Sequence, residues 1–571
     1  MTMFGRLTGI SWLWNVAAIA LAVFTYFYGL DSQHIPKNGD EYPYEHITRL
    51  TAASGHLLPL QSELDGMRNT KPPLLFWQGI ASTNWGQDWD LWHLRYPSVI
   101  YTLLTAWLVF LLAKKLAGQA ETGLIAALTF LSFFSTYRFG RPFLVNPPEV
   151  FWFFLPFFTL LYWRAAAFES KLAVPLLLGV EIGIGLLYKS FALLAPIGLV
   201  LVWWYLRQRQ YRWREFLLKD GYKPVLAGIV ALALFALWFV FDPDPQSVWR
   251  EFVVGENAGK FQAHDGSYWA KLLWGGSSIW SLLLGYPLDA GLLAFPVAAL
   301  FFVAWRQRRQ LGDTEKLLWI WMAVLFIVFA VPSQRSARYL LEAMPGVAVL
   351  CALNWQRIPR WVFMLTLVAA GAVLALLAFL ALRLQHEAAG MYGWAYWVLM
   401  AASLALAAAA LILPRMTRSA VNVVVLLTFL SLAAFLRPFD GAAGTYGEDA
   451  RRSMRGQEVW VPCNFRAMDE GYHFLLPGAQ VRGYDENRGL TPAELAAHYR
   501  LFALQQPLDA APCAGCRVIG QRLEIRGRQS PEELRAMIKG DVFQYLFVKE
   551  LLVESSQVDS AAQNTNREGC R

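Results

Sequence analysis

Runs of about twenty apolar residues, the length that crosses the hydrocarbon core of a bilayer, recur along this chain and leave few other ways to fold it. They lie at about 8 to 30, 95 to 113, 120 to 136, 149 to 165, 172 to 187, 190 to 206, 224 to 241, 286 to 304, 316 to 332, 339 to 353, 361 to 382, 394 to 413 and 420 to 436, which makes about thirteen helices. The 571 residues are 56% hydrophobic and include 25 Trp, too apolar and aromatic for a soluble globule of this size. Trp12, Trp14, Trp203, Trp204, Trp319 and Trp321 crowd the ends of these runs, where rings with one polar edge sit at headgroup level. The first run has Arg6 ahead of it, acidic residues behind it and no small-residue cleavage site, so it is expected to be a retained span.

Short loops set the orientation through their cations. Taking the N-terminus as inside, alternate loops hold Lys114 and Lys115; Arg164 and Lys171; Arg207 to Lys223; Arg306, Arg308 and Arg309; Arg357 and Arg360; and Arg415 and Arg418. The net charge of +8 is then mostly topology and calls for no nucleic-acid partner. An odd number of spans puts everything after Arg437 outside. The expected architecture is an all-α polytopic membrane domain over 1–436 with large outer loops at 31–94 and 242–280. An outer α/β domain over 437–554 and a disordered polar tail over 555–571 follow.

Cations on the outer side act against the topological bias, and five of them cluster in sequence next to breaks between runs: Arg138, Arg141, Lys189, Arg335 and Arg338. A Lys or Arg at the bilayer centre costs about 2.5 to 3.5 kcal/mol on insertion scales. Snorkelling to headgroups explains any one of them; together they suggest a site for a phosphate or pyrophosphate carried on a lipid. The 31–94 loop opens with Asp40-Glu41, has an amphipathic stretch from Glu45 to Ala53 and carries a Lys71-Pro72-Pro73 turn, which together fit short helices lying flat in the interface. The 242–280 loop, with Glu256-Asn257, His264 and many aromatics, suits a membrane-facing flap or a sugar-stacking surface.

In the outer domain, Glu458 to Val461, Val481 to Tyr484, Cys516 to Ile519 and Val542 to Val548 read as strands, and Pro492 to His498 and Pro531 to Ile538 as capped helices. Cys463, Cys513 and Cys516 are disulfide candidates with the pairing open, and the single Cys-x-x-Cys is a weak zinc signal. Cys351 reads as inert packing.

An outer carboxylate, a cationic cluster and an apolar vestibule fit transfer of a sugar from a polyprenyl phosphate. The lipid brings the sugar to the interface, cations stabilise the departing phosphate, and Asp40 takes a proton from the incoming hydroxyl. Glu41 either binds sugar or holds a helix end. A sugar-lipid transporter or an envelope assembly subunit are the alternatives; a transporter favours charges at mid-span, whereas these sit mostly at one face.

The order of Asp40-Glu41, Lys71 to Trp77 (Lys-Pro-Pro-Leu-x-x-Trp), Arg95 to Ser98 (Arg-x-Pro-Ser), Glu256-Asn257 with Lys260-Phe261 and His264, and Arg338-Tyr339 before Pro345 resembles bacterial GT-C membrane glycosyltransferases. Among these the chain is most similar to the ArnT-like aminoarabinose transferases that modify lipid A, within the protein O-mannosyltransferase superfamily. The resemblance implies an inverting enzyme of the bacterial inner membrane, acting at the periplasmic face. The donor would be an undecaprenyl-phosphate sugar, and the acceptor lipid A, a lipid-linked glycan or a protein. It implies Asp40 as catalytic carboxylate and Lys71 as donor-phosphate lysine, joined by Arg138, Lys189 and Arg338. Three positions depart from the pattern: Thr70 stands where an acidic residue associated with a metal precedes the turn, Pro43 replaces an Arg, and Asn146 replaces an Asp, with Glu149 a nearby substitute. The expectation is therefore no required cofactor, with a divalent metal at His264 the alternative, and a monomer that contacts membrane lipids.

Overall fold

The computed structural model describes residues 9–64, 66–257, 268–309, 311–332, 335–388, 390–464, 466–526 and 530–557. Each of the thirteen apolar runs contains helix. Seven helical stretches are long and apolar enough to cross a membrane unaided: Leu91–Ala117, Phe191–Gln208, Tyr222–Phe241, Ile279–Gln307, Arg360–Glu387, Trp394–Ile412 and Pro414–Asp440. The first run forms α1 (Gly9–Phe27), and the third divides at Ser132 into the shorter α5 (Ala120–Leu131) and α6 (Phe134–Phe139).

Between α1 and α4 (Leu91–Ala117) the long loop forms α2 (Glu41–Ala53) and α3 (Leu74–Ser82). Two buried arginines fix where this loop leaves the helical body. Arg141, fully buried, donates from Nε to the Tyr26 carbonyl at 3.0 Å and from Nη2 to the Tyr28 carbonyl. It thereby satisfies carbonyls at the C-terminal end of α1, where the helix dipole favours a cation. Arg95 donates from Nη1 to the carbonyls of Leu30 at 3.0 Å and Ser32 at 2.5 Å, and holds Glu41 through two parallel bonds of 2.8 and 2.9 Å.

On the other side of the site, α7 (Asn146–Tyr162) is anchored by Phe153, Phe154, Phe157 and Phe158, each at most 3% exposed, with Phe157 stacked on Trp321 at 5.3 Å. The turn into it depends on Gly140. Thr102 Oγ1 donates to its carbonyl at 2.7 Å, and a Cβ there would lie 2.3 Å from the Thr136 carbonyl oxygen. Only glycine allows this approach.

The C-terminal region forms a five-stranded sheet in the order β2-β1-β3-β5-β4, with β1 (Glu458–Cys463), β2 (Gln480–Asp485), β3 (Leu501–Gln506), β4 (Cys516–Ile525) and β5 (Phe547–Ser555). β1 is parallel to β2 and β3, and β5 is antiparallel to β3 and β4. Both faces are covered by apolar clusters, one around Val459, Val461 and Leu552 and the other around Phe502, Leu551 and Val553. The sequence reading missed β3 and misplaced β5: Val542 to Leu546 is a short helix, and the strand starts at Phe547. It also began the disordered tail at 555, which is the last residue of β5; residues 558–571 lie outside the described residues. Cys513 and Cys516 form a disulfide, Cys463 is disulfide-bonded as well, and Cys351 is a buried free thiol.

One further expectation is corrected. α2 does not lie flat on lipid, because the C-terminal region roofs it. Arg49 donates to both oxygens of Glu470 at 2.9 and 2.6 Å, His46 Nδ1 bonds Glu470 at 2.6 Å, and His46 Nε2 accepts from the Glu63 backbone N–H at 3.0 Å. That pattern assigns the proton to Nδ1 of a neutral His46.

Candidate active site

Asp40 occupies the position that precedes α2, yet its side chain makes no capping bond to that helix. Its carboxylate instead accepts from Arg338 Nη1 at 2.5 Å. Arg338 also donates from Nε to Asn146 Oδ1 at 2.9 Å and from Nη2 to the same oxygen, and its guanidinium lies over the Phe139 ring at 4.9 Å. One arginine thus joins the α1–α2 linker, the start of α7 and the 3-10 segment Ala337–Ala343.

Along the first turn of α7 the chain of bonds continues. Asn146 Nδ2 donates to Glu149 Oε2 at 3.2 Å, and Lys189 Nζ donates to the same oxygen at 2.9 Å. Glu149 is 1% exposed, so an unpaired carboxylate there would carry a large desolvation cost. Lys71 donates to Glu256 Oε1 at 2.6 Å and to the Thr70 carbonyl at 3.0 Å. Burial pushes the Lys71 ammonium below its usual pKa, against the opposing pull of Glu256; Lys189 and Asp40 both contribute to its field. The Tyr44 side chain feels Arg338, Asp40, Lys189 and Glu256 together, which places it among them.

The two long loops are stitched to each other beside this cluster. Arg68 pairs with Asp244 at 2.9 Å, the Asn69 backbone N–H donates to Glu251 at 2.9 Å, and Lys71 follows with Glu256. The π-helical segment Trp249–Asn257 carries both glutamates. Its last residue, Asn257, accepts from Ser190 Oγ at 2.7 Å and donates to the Phe252 carbonyl at 2.8 Å.

The structure therefore brings together Asp40, Lys71, Asn146, Glu149, Lys189, Glu256, Asn257 and Arg338. Arg138 sits at the edge, exposed, with its guanidinium 5.2 Å from the Phe139 ring. Four residues singled out from the sequence are placed elsewhere. Glu41 is 2% exposed and wholly engaged by Arg95 and by the backbone N–H groups of Phe143 (2.7 Å) and Asn38 (3.0 Å), so it holds a helix start. Arg141 caps α1. Arg335 donates to the carbonyls of Ala330 at 2.7 Å and Ser277 at 3.0 Å, and the Tyr339 ring packs on Phe329 at 5.4 Å. His264 lies outside the described residues. Among the described residues, no three His, Cys, Asp or Glu side chains are grouped to hold a metal.

Glu342 was missed by the sequence reading. It is 2% exposed, lies against Glu149, and has one carboxyl oxygen shielded without a partner. A carboxylate inside an apolar run was the available signal, since such residues are by default functional candidates.

A polytopic helical body with acidic and basic groups converging at one end, capped by a small mixed sheet, defines the class: the GT-C fold in its ArnT-like form. The sequence model of the family "Dolichyl-phosphate-mannose-protein mannosyltransferase" matches residues 17–248. The fold is shared with crystal structures of ArnT from Cupriavidus metallidurans. The form bound to undecaprenyl phosphate has a TM-score of 0.63 at 16% identity, covering 97% of this chain and 100% of that one. The apo form has a TM-score of 0.59 at 16% identity and covers 96% of this chain and 100% of that one. Two curated relatives are undecaprenyl phosphate-alpha-4-amino-4-deoxy-L-arabinose arabinosyl transferases. That of Proteus mirabilis is 26% identical, the match covering 59% of each chain. That of Pseudomonas fluorescens is 30% identical, over 49% of this chain and 48% of the relative. The chain thus spans about half to three fifths of these relatives' length.

Proposed function

We propose that this protein is an inverting glycosyltransferase of the bacterial inner membrane, moving a sugar from an undecaprenyl-phosphate donor to a lipid A, glycan or protein hydroxyl at the periplasmic face. The observation that carries the reading is Arg338 bridging Asp40 and Asn146, with Lys71 and Lys189 beside them. It joins a base and three cations from segments far apart in sequence at one end of the helical body. The similarity to aminoarabinosyl transferases supports the donor class, and charge gathered at one face favours transfer over a transport path.

In the proposed reaction the acceptor oxygen attacks C1 of the sugar from the face opposite the phosphate. The new O–C1 bond forms as the bond from C1 to the phosphate oxygen breaks, the phosphate keeping the electron pair. Asp40 receives the hydroxyl proton. Lys71 and Lys189, each now paired with a carboxylate, stabilise the phosphate's developing charge. An anion beside Lys71 would also offset the burial that disfavours its charged form. Arg338 orients Asp40.

The test is transfer of label from radiolabelled polyprenyl-phosphate sugars to envelope lipid extracts by the purified protein in detergent. Label in a new glycolipid or glycoprotein is expected, and its absence with every donor overturns the reading. We further propose that no metal takes part. The rate in excess EDTA should match the untreated rate within twofold; a loss that zinc or magnesium restores would overturn this point.

A further inference from the structure

Among the described residues, a cleft of about 420 Å³ opens along the segment that leads into the C-terminal sheet, lined by Thr445, Glu448, Arg451, Arg452, Arg455 and Pro477 among others. Three arginines face one carboxylate there. Arg452 pairs with Glu448, but both side chains are well exposed, at 63% and 73%, so that pair is weak. Arg451 on the short helix Glu448–Ser453 and Arg455 just beyond its end have no carboxylate partner among the described residues. The Nε of Arg451 is shielded from solvent and lacks a hydrogen-bond partner. A shielded donor is destabilising unless something accepts from it.

The cleft is tied to the membrane by chain length. The last candidate span ends at Asp440, and Thr445 lies five residues on. The Thr445 N–H donates back to the Gly441 carbonyl at 3.1 Å, so a single tight turn joins the span's end to the cleft wall and keeps the wall beside the membrane surface. A phosphomonoester supplies the charge and the paired oxygens that the planar guanidinium fork can hold two at a time.

We propose that this cleft binds the phosphate of an anionic membrane lipid in the leaflet next to the C-terminal sheet, through Arg451 and Arg455 with Arg452 assisting. The site is separate from the Asp40 cluster and does not depend on the reaction catalysed there. It would hold the sheet against the bilayer at a fixed height.

The experiment uses the full-length protein in nanodiscs containing a photoactivatable phosphatidic acid or its phosphatidylcholine counterpart, with labelled peptides mapped by mass spectrometry. Phosphatidic acid should label the segment around Thr445 at least tenfold more than phosphatidylcholine. The Arg451→Gln/Arg455→Gln double variant should lose about tenfold or more of that labelling, since each basic group near a charged surface contributes about 1 kcal/mol. Arg455→Lys should keep most of it, and so should Arg535→Gln, an exposed arginine elsewhere in the domain. Equal labelling by the two lipids, or unchanged labelling in a double variant whose melting temperature matches wild type, overturns the proposal. Equimolar inorganic pyrophosphate should suppress labelling less than twofold. Complete suppression would mean the cleft takes a soluble anion, and overturns the lipid assignment.

Discussion

Asp40 and Glu41 are neighbours with opposite fates, decided by what reaches each carboxylate. Glu41 takes a bidentate arginine and two backbone N–H groups in a dry site, whereas Asp40 takes one guanidinium and keeps a side chain that is 41% exposed. Removing the charge of Glu41 strands Arg95, and breaking a buried pair from one side costs about 3–5 kcal/mol. Glu41→Gln should therefore lower the thermal midpoint in detergent clearly while Asp40→Asn does not; equal midpoints for both would contradict the structural role given to Glu41. The sequence marks both as acidic residues after a span, but apart from Asn38 their partners lie far off, at positions 95, 143 and 338. Only the fold shows which carboxylate is consumed by structure. Arg141 follows the same logic: an outer-side cation in sequence, but one whose acceptors are main-chain carbonyls that no side-chain pattern reveals. Lys189 and Arg338 were legible because a cation against the topological bias needs a reason, and Asp40 and Lys71 from the order of the motifs that carry them; their partners Glu149, Glu256 and Asn146 come from other segments.

Helices and strands were legible where their periodicity was strong. The thirteen apolar runs all contain helix, but the run from 120 to 136 breaks at Ser132, and the α-helix of the tenth run, Met344–Leu353, is short because the 3-10 segment Ala337–Ala343 precedes it. β3 escaped notice because a central strand covered on both faces shows no alternation, only a brief apolar run. The same ambiguity made Val542 to Leu546 read as strand, though its Val542 and Phe543 pack beside the end of Arg360–Glu387. At this scale the stitching of the two long loops carries a prediction. Glu251 accepts from the Asn69 main chain and side chain and from Ser247 Oγ, so it ties the π-helical segment to the Lys71 turn. Glu251→Gln should speed amide exchange in residues 247–257 at least fivefold, measured by hydrogen–deuterium exchange. Unchanged protection would show that the segment is held by its apolar contacts alone.

For the whole molecule, the C-terminal region clamps α2 through the 3-10 turn Met468–Glu470, and the titrating groups at that junction set its pH response. Burial alone would raise the pKa of Glu470, but hydrogen bonds from Arg49 and His46 outweigh it and hold the carboxyl below the usual range. Its stabilising contribution is present above an ordinary carboxylate pKa near 4.5 and fades as pH falls below that. Burial pushes His473 down to about 4, so its contribution is lost as pH falls from 6.5 toward 4. Burial lifts Asp469 to about 6, so its contribution runs the other way, lost as pH rises from 3.8 to 6. Between about 4 and 6 the last two oppose each other, and the melting temperature of wild type should be nearly flat there. Asp469→Asn removes one side of the balance, so its melting temperature should fall on acidification from pH 6.5 to 4; a flat profile would contradict the account. The central claim is that Asp40 is the base and the cations hold the donor, and the two roles separate in one variant. With purified protein and a radiolabelled polyprenyl-phosphate sugar, Asp40→Asn should bind donor within threefold of wild type and transfer label at least a thousandfold more slowly, whereas transfer by Asp40→Asn at the wild-type rate would contradict the assignment.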